Sequence, residues 1–335
     1  MISNEDFKKN ILGFNVTSCV VRRKDFFYFL LREDYTQSGK WVEQSDPPDE
    51  KSLRKRIVPF IRSKAPAQQW SAVTLTGQEL IVGGVSFAEL EQFVSMDADG
   101  RVYAVGSGSS GLEGHVDPDN TGLHRGSTTR LRTISDRLYV CATGRTVGRR
   151  EGIGKWQWFT KDIAYEYKKD REIAGFEDMD GYSEQDIYFV GRGGDVWTFD
   201  SVNWRKRAFP SNISLRTVCC TPESSVYISG YEGETYRGAG DAWKQIAKPE
   251  LSIPFKDMVW YEDRVWCTND YGLWWINGDK LEMADVPSEI KVCSGNLSTR
   301  DGVLLLAGYY GAAVRENGEW KVIFNYNEMA EKSGR

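Results

Sequence analysis

The sequence predicts an all-β chain built as a β-propeller of seven four-stranded blades, and three observations predict it. Gly191, Gly230, Asn269 and Gly308 stand 39 residues apart, and Gly194, Gly233, Gly272 and Gly311 keep the same step three positions on. Each anchor closes a β-branched or aromatic apolar run: Ile187–Val190, Val226–Ile228, Val265–Cys267 and Leu304–Leu306. Trp204, Trp243 and Trp320 open the next element, with Leu281 in the same place, and Pro210, Pro249 and Pro287 follow three of these at a spacing of six. Strand-forming runs punctuated by glycine turns at this period are the signature of a propeller blade.

The elements follow in order. Between Leu215 and Pro249 four strands are expected, at Leu215–Thr221, Ser225–Ser229, Glu234–Arg237 and Trp243–Ala247, with glycine supplying the positive φ of tight hairpins. The best-defined blades span 173–323. Backward from them, Leu138–Ala142 and Val102–Gly106 read as second strands at steps of 49 and 36, the longer one stretched by the insertion Thr160–Glu172. Phe26–Leu31 reads as the second strand of a first blade whose outer half lies at Trp70–Leu75 and Glu79–Val82, after an excursion through 45–68. Inside that excursion, near residues 46–64, a short helical insertion is expected, with Asp46 as cap and Pro47 at the first position. Leu53, Ile57 and Phe60/Ile61 would form its apolar stripe against the ring, and Pro59 would end or kink it. A loop insertion at 107–126 and a short C-terminal tail at 327–335 complete the chain. Seven second strands make seven blades, or six if the N-terminal segment is an appendage, and a ring of blades favours one domain over 1–335.

Composition narrows the function. The chain has 335 residues, 40% hydrophobic and 27% charged, with a net charge of −5. No run approaches the ~18 apolar residues of a membrane span. No basic stretch followed by an apolar run marks the first residues as a secretion signal, so a cytoplasmic location is expected. The acidic balance argues against nucleic acid as a partner. Six cysteines, none in a C-x-x-C pair, sit in apolar runs and read as reduced thiols packed as small hydrophobes.

The search for chemistry yields little. Both histidines fall in one stretch with two aspartates, and His115, Asp117, Asp119 and His124 are the weak metal candidates. The Asp117-x-Asp119-x-Thr121-Gly122 opening copies a calcium loop, but its twelfth position is Thr128 rather than glutamate. Asp97-Ala98-Asp99-Gly100 and Asp178-Met179-Asp180-Gly181 read as turns between first and second strands. Gly106–Gly111 has the spacing of neither a nucleophile elbow nor a phosphate loop. No catalytic residue and no cofactor are expected.

The turn pattern of Val226-Tyr227-Ile228-Ser229-Gly230-Tyr231-Glu232-Gly233 with Gly240-Asp241-Ala242-Trp243, and of Gly308–Gly311 with Asn317–Trp320, resembles propellers of the Ycf48-like and degenerate Asp-box (BNR) type. The resemblance implies a fold and no activity, since no complete S-x-D-x-G-x-x-W box survives. Sialidases of Asp-box type would carry an early R-I-P motif, which Arg56-Ile57-Val58-Pro59 interrupts. In such a ring the turns between second and third strands share a face with the connectors between blades. Those turns offer Arg192, Tyr231, Glu232, Asp270, Tyr271, Tyr309 and Tyr310 as the partner-binding face, with Arg145 beside them; tyrosine and arginine are preferred interface anchors. A lone propeller with eroded motifs and irregular insertions looks like bacterial toxin-immunity proteins. That likeness implies a monomer on its own that binds another protein, a secreted effector toxin, with a basic nuclease suiting the negative charge. The alternatives are a carbohydrate-active, sialidase- or lyase-like propeller enzyme and an assembly-factor scaffold.

Overall fold

The computed structural model describes residues 2–36, 47–88, 90–107, 109–170, 173–247 and 254–334. Asp46 and Pro249, to which the sequence assigned a cap and a strand stop, lie outside them. The chain is a seven-bladed β-propeller, each blade a four-stranded antiparallel sheet drawn from one unbroken run of sequence. After helix α1 (Asn4–Asn10), blade 1 is β1 (Phe14–Arg23), β2 (Phe26–Glu33), β3 (Lys55–Ile61) and β4 (Val73–Leu75). Blade 2 is β5 (Ile81–Ser86), β6 (Gln92–Asp97), β7 (Arg101–Gly106) and β8 (Ser109–His115). Blade 3 is β9 (Thr128–Ile134), β10 (Arg137–Ala142), β11 (Thr146–Gly152) and β12 (Lys155–Trp158), followed by α2 (Tyr167–Asp170). Blade 4 is β13 (Phe176–Ser183), β14 (Asp186–Gly191), β15 (Asp195–Phe199) and β16 (Trp204–Lys206). Blade 5 is β17 (Leu215–Cys220), β18 (Val226–Gly230), β19 (Thr235–Ala239) and β20 (Ala242–Ala247). Blade 6 is β21 (Asp257–Tyr261), β22 (Arg264–Asn269), β23 (Gly272–Asn277) and β24 (Lys280–Met283), then α3 (Ser288–Lys291). Blade 7 is β25 (Asn296–Arg300), β26 (Val303–Gly308), β27 (Gly311–Glu316) and β28 (Glu319–Asn325), before α4 (Tyr326–Lys332).

Two compact units emerge, one of Met1–Ile81, Thr268–Trp274 and Met283–Arg335, the other of Val82–Cys267 and Trp275–Glu282. In the first, blades 1 and 7 share a core of Phe7, Val16, Val21, Phe29, Leu305, Val314 and Phe324. The Phe7 ring meets Tyr326 edge-on at 5.4 Å, and the Tyr326 hydroxyl accepts a hydrogen bond from the Gly13 amide at 3.0 Å. In the second, each blade stacks its apolar face on the next: Phe176, Phe189 and Phe199 pack with Tyr139 and Val147 of the blade before. Trp204, one of the repeat tryptophans, lies over Phe199 of its own sheet at 4.4 Å. Aromatic contacts of this kind add to area burial in holding a blade together.

The structure corrects several expected elements. No helix runs through the described part of 46–64: one 3-10 turn at Glu50–Ser52 precedes β3, which pairs with β2 from Phe26↔Ile61 to Arg32↔Lys55. The helical stripe was an accident of a β-branched run, Ile57-Val58-Pro59-Phe60-Ile61, which prefers a pleated surface. Glu79–Val82 is not the outer edge of blade 1, because Ile81–Ser86 opens blade 2. Val102–Gly106 is therefore the third strand of its sheet rather than the second. The first part of the 107–126 insertion is strand, since β8 occupies Ser109–His115. The C-terminal tail is α4, capped by the Asn325 side chain accepting from the Glu328 amide.

The repeat glycines serve space more than turn geometry. A Cβ on Gly191 would collide with the Gly175 carbonyl oxygen, and one on Gly308 with the Ser294 carbonyl, where the incoming connector crosses the end of the second strand. Gly194, at φ +70°, and Gly233, at φ +86°, are the repeat positions where the hairpin itself demands a left-handed residue.

Candidate interaction face

Every residue assigned to a second-to-third strand turn lies in one: Arg192 after β14, Tyr231 and Glu232 after β18, Asp270 and Tyr271 after β22, Tyr309 and Tyr310 after β26. In the first unit, Tyr271 is 84% exposed and its amide donates to the Asn269 side-chain oxygen at 2.8 Å, which fixes the turn while leaving the ring in solvent. Asp270 is exposed beside it. Tyr310 is 53% exposed, and its carbonyl accepts from the Tyr326 amide at 2.8 Å. Tyr309, Tyr310, Tyr326, Tyr35, Arg32 and Asp34 border a cavity of about 340 Å³.

In the second unit, Arg192 and Tyr231 belong to an array that sequence reasoning did not find. The Arg192 Nε donates to Glu177 at 3.1 Å, and the Tyr231 hydroxyl donates to the other Glu177 oxygen at 3.5 Å. The Arg216 guanidinium stacks on the Tyr231 ring at 4.9 Å. Glu177 and Arg216 sit on the first strands β13 and β17, each at the register shift that follows the buried Phe176 or Leu215. Burial, with Glu177 beside it, pushes the Tyr231 hydroxyl above its ordinary range.

Arg145 does not face a partner. It sits in the turn between β10 and β11, buried, with Nε and Nη2 donating to the two oxygens of Asp195 at 2.6 and 3.1 Å. Its guanidinium lies 5.1 Å from the Trp197 ring centre. A bidentate, stacked arginine with a buried carboxylate partner is a structural tie.

The first strands of blades 3 to 6 carry a charged cluster where turns had been expected. Asp178 and Asp180 lie within β13 and are not turn residues. Arg130 of β9 contacts Asp178 at 2.8 Å and Asp257 of β21 at 3.2 Å. Arg132 reaches Asp178 at 3.3 Å and Asp180 at 3.6 Å. Asp178 also accepts from the Thr217 hydroxyl at 2.8 Å and the Val218 amide at 3.2 Å, and Asp180 from the Cys220 amide at 2.8 Å. Burial opposes the charge on Asp178, yet Arg130, Arg132 and these donors hold its carboxyl below the usual range. Burial wins at Asp180, whose carboxyl is pushed up.

The His/Asp stretch closes on itself. Asp117 accepts five hydrogen bonds: the Thr121 amide and hydroxyl at one oxygen, and the Gly122, Leu123 and His124 amides at the other. Burial works against its charge, but these donors bring its carboxyl down to about 2. His115 Nδ1 accepts from the Asp117 amide at 2.9 Å, and His124 Nε2 meets the Thr128 hydroxyl at 2.9 Å. Asp119 is exposed and outside this clamp. Among the described residues no group of three or more His, Cys, Asp or Glu side chains converges as a metal site. Both oxygens of Asp117 are engaged by the loop's own donors, so the calcium-like opening serves as a loop clamp.

No protein-family model matches the chain. The immune protein Tsi7 of Pseudomonas aeruginosa is 28% identical over 226 residues, which cover 68% of this chain and 74% of Tsi7. Among solved structures, the WD40 β-propeller domain of Doa1 superposes with a TM-score of 0.60 at 10% identity, over 88% of this chain and 90% of that one. YCF48 bound to D1 peptide gives 0.51 at 14% identity, over 72% and 80%. A catalytically inactive virginiamycin B lyase from Staphylococcus aureus with quinupristin gives 0.50 at 8% identity, over 94% and 86%. At these identities the structures share the fold alone. Among the described residues no helix is long and apolar enough to cross a membrane. The chain is thus a seven-bladed β-propeller, and over two thirds of its length its sequence is similar to a bacterial immune protein.

Proposed function

We propose that this protein is an immunity protein, a non-catalytic propeller that binds a cognate effector toxin and blocks it by occlusion. The observation that carries the reading is the 28% identity to the immune protein Tsi7 across 68% of a chain folded as a binding ring. Two features support a binding rather than a bond-making role. The buried carboxylates of Asp178 and Asp117 are committed to neighbouring arginines or to loop amides, leaving them unsuited to move protons for a substrate. The exposed turn residues include tyrosines and an arginine, which supply rigid contact area with a polar handle. The protein acts in the cytoplasm as a monomer until it meets its toxin, and a basic nuclease suits its net charge of −5.

Co-expression tests the reading. Cells producing the toxin encoded beside this gene are expected to survive only when this protein is present. Replacing Tyr231, Tyr271 and Tyr309 together by alanine is expected to abolish protection while the purified variant keeps its β-sheet circular dichroism. Absence of both protection and binding by the unaltered protein overturns the proposal, as does turnover of a glycoside abolished by one acidic substitution.

A further inference from the structure

The turns that carry the proposed contact residues differ in how far their side chains are pre-positioned. On blades 4 and 5 four side chains from two turns and two first strands are tied together. Glu177, whose side chain is 14% exposed, holds the Nε of Arg192 and the hydroxyl of Tyr231, and Tyr231 in turn supports the guanidinium of Arg216. The side chain of Arg192 is 44% exposed, and Nε is its one atom with a described bond. Arg216 makes its ring contact and no hydrogen bond among the described residues. The array thus holds two guanidiniums and one carboxylate, and of the two only Arg192 bonds that carboxylate among the described residues. Glu232, the next residue after Tyr231, is exposed and makes none of these contacts. Ile173, 58% exposed, borders the same turn, its carbonyl oxygen 2.9 Å from where a Cβ on Gly193 would stand.

We infer that this array is the anchoring point for the partner protein and that it receives an aspartate or glutamate side chain of that partner, with the flanking Ile173 and Tyr231 taking apolar surface. The inference rests on the immunity reading and assigns the contact chemistry within it. Planar guanidinium forks match a carboxylate bidentately, and a fork already fixed by Glu177 and by ring stacking loses little freedom on binding. The arginines on the first strand of blade 3 are already committed, Arg130 bridging β9 to Asp257 of β21.

The test measures binding of the purified toxin encoded beside this gene by calorimetry at two salt concentrations. Arg192→Glu and Arg216→Glu are each expected to weaken binding tenfold or more, and the pair a hundredfold or more, with melting temperature unchanged. Lys321→Glu, the same charge change on β28, is expected to bind as the parent does; equal weakening there would assign the effect to net charge and overturn the inference. Rescue of Arg192→Glu by an aspartate- or glutamate-to-lysine change in the toxin supports it. Unaltered affinity of the double variant sinks it while leaving the immunity reading standing, whereas failure of the unaltered protein to bind sinks both. Tight binding of a 20-nucleotide single-stranded DNA by the parent, lost in the double variant, would replace the carboxylate with phosphate and also overturn it.

Discussion

Arg130 on the first strand of blade 3 reaches Asp257 on the first strand of blade 6, with Nη2 3.2 Å from Oδ1, so one ion pair ties together two blades that are not neighbours in sequence. The same arginine holds Asp178 of blade 4 at 2.8 Å. Removing Asp178 takes a carboxylate from two guanidiniums at once, leaving Arg130 to Asp257 and Arg132 to Asp180. Asp178→Ala is expected to cost about 3–5 kcal/mol, the range for breaking one side of a buried pair. Urea unfolding followed by tryptophan fluorescence reads it, and a loss within about 1 kcal/mol of zero would show that the network is inert.

Arg145 gives a second destabilising site with a distinct signature. Its fork fills both oxygens of Asp195, which also accepts from the Trp197 indole at 2.9 Å. Arg145→Lys keeps the charge and forfeits the bidentate geometry and the ring stacking. It is expected to lower stability by about 1–3 kcal/mol without changing affinity for the toxin, since Arg145 is buried.

Acid should weaken the fold in two separate windows. Burial and the nearby His115 bring His124 down to about 4 from its ordinary 6.5. The unfolded chain therefore takes up a proton first, and stability falls as pH drops from 6.5 towards 4. Asp117, at about 2, contributes stability above its ordinary range that disappears as pH falls from about 4 towards 2. Melting temperatures across about pH 2–8 should show His124→Gln flattening the upper window and Asp117→Asn the lower. An identical slope in both variants and the parent would refute the assignment.

The cysteines should be chemically silent in the native state. All six are free thiols. Burial pushes Cys141 and Cys293 up to about 12 and raises Cys219, Cys220 and Cys267 well above their ordinary value, so few thiolates exist at about pH 8. Ellman's reagent is expected to react slowly with native protein and with six thiols per chain after denaturation. Rapid reaction of a native thiol would place that residue in a segment that opens readily.

Blades 4 to 7 were legible in the sequence because their spacing is uniform and their glycines sit where connector and strand cross closely, as Gly191 and Gly308 do. Blade 1 was not. Its second and third strands are separated by residues 34–54, and β3 carries Pro59 opposite Tyr28, a residue that reads as a breaker in a helix yet is tolerated in this sheet. Asp178-Met179-Asp180-Gly181 looked like a turn because aspartate and glycine make turns. In the fold Gly181 instead permits the close approach of the Asp186 carbonyl beside a register shift in β13, and the aspartates answer arginines 46 and 48 positions away in sequence. Partners that distant leave no local trace. For the interaction face, the turns could be located from the repeat, while Glu177 and Arg216 required knowing that two first strands lie side by side.

Blades 1 and 7 meet without exchanging a strand, so no continuous ladder of main-chain bonds runs across their junction. What joins them is the shared apolar core, the edge-on contact of Phe7 with Tyr326 and a few scattered bonds, such as the Ile2 amide to the Ile323 carbonyl and the Val21 amide to the Ser298 hydroxyl. A load applied at the two termini is therefore borne by side chains that can let go in succession, and in a pulling experiment this seam should yield at lower force than any sheet.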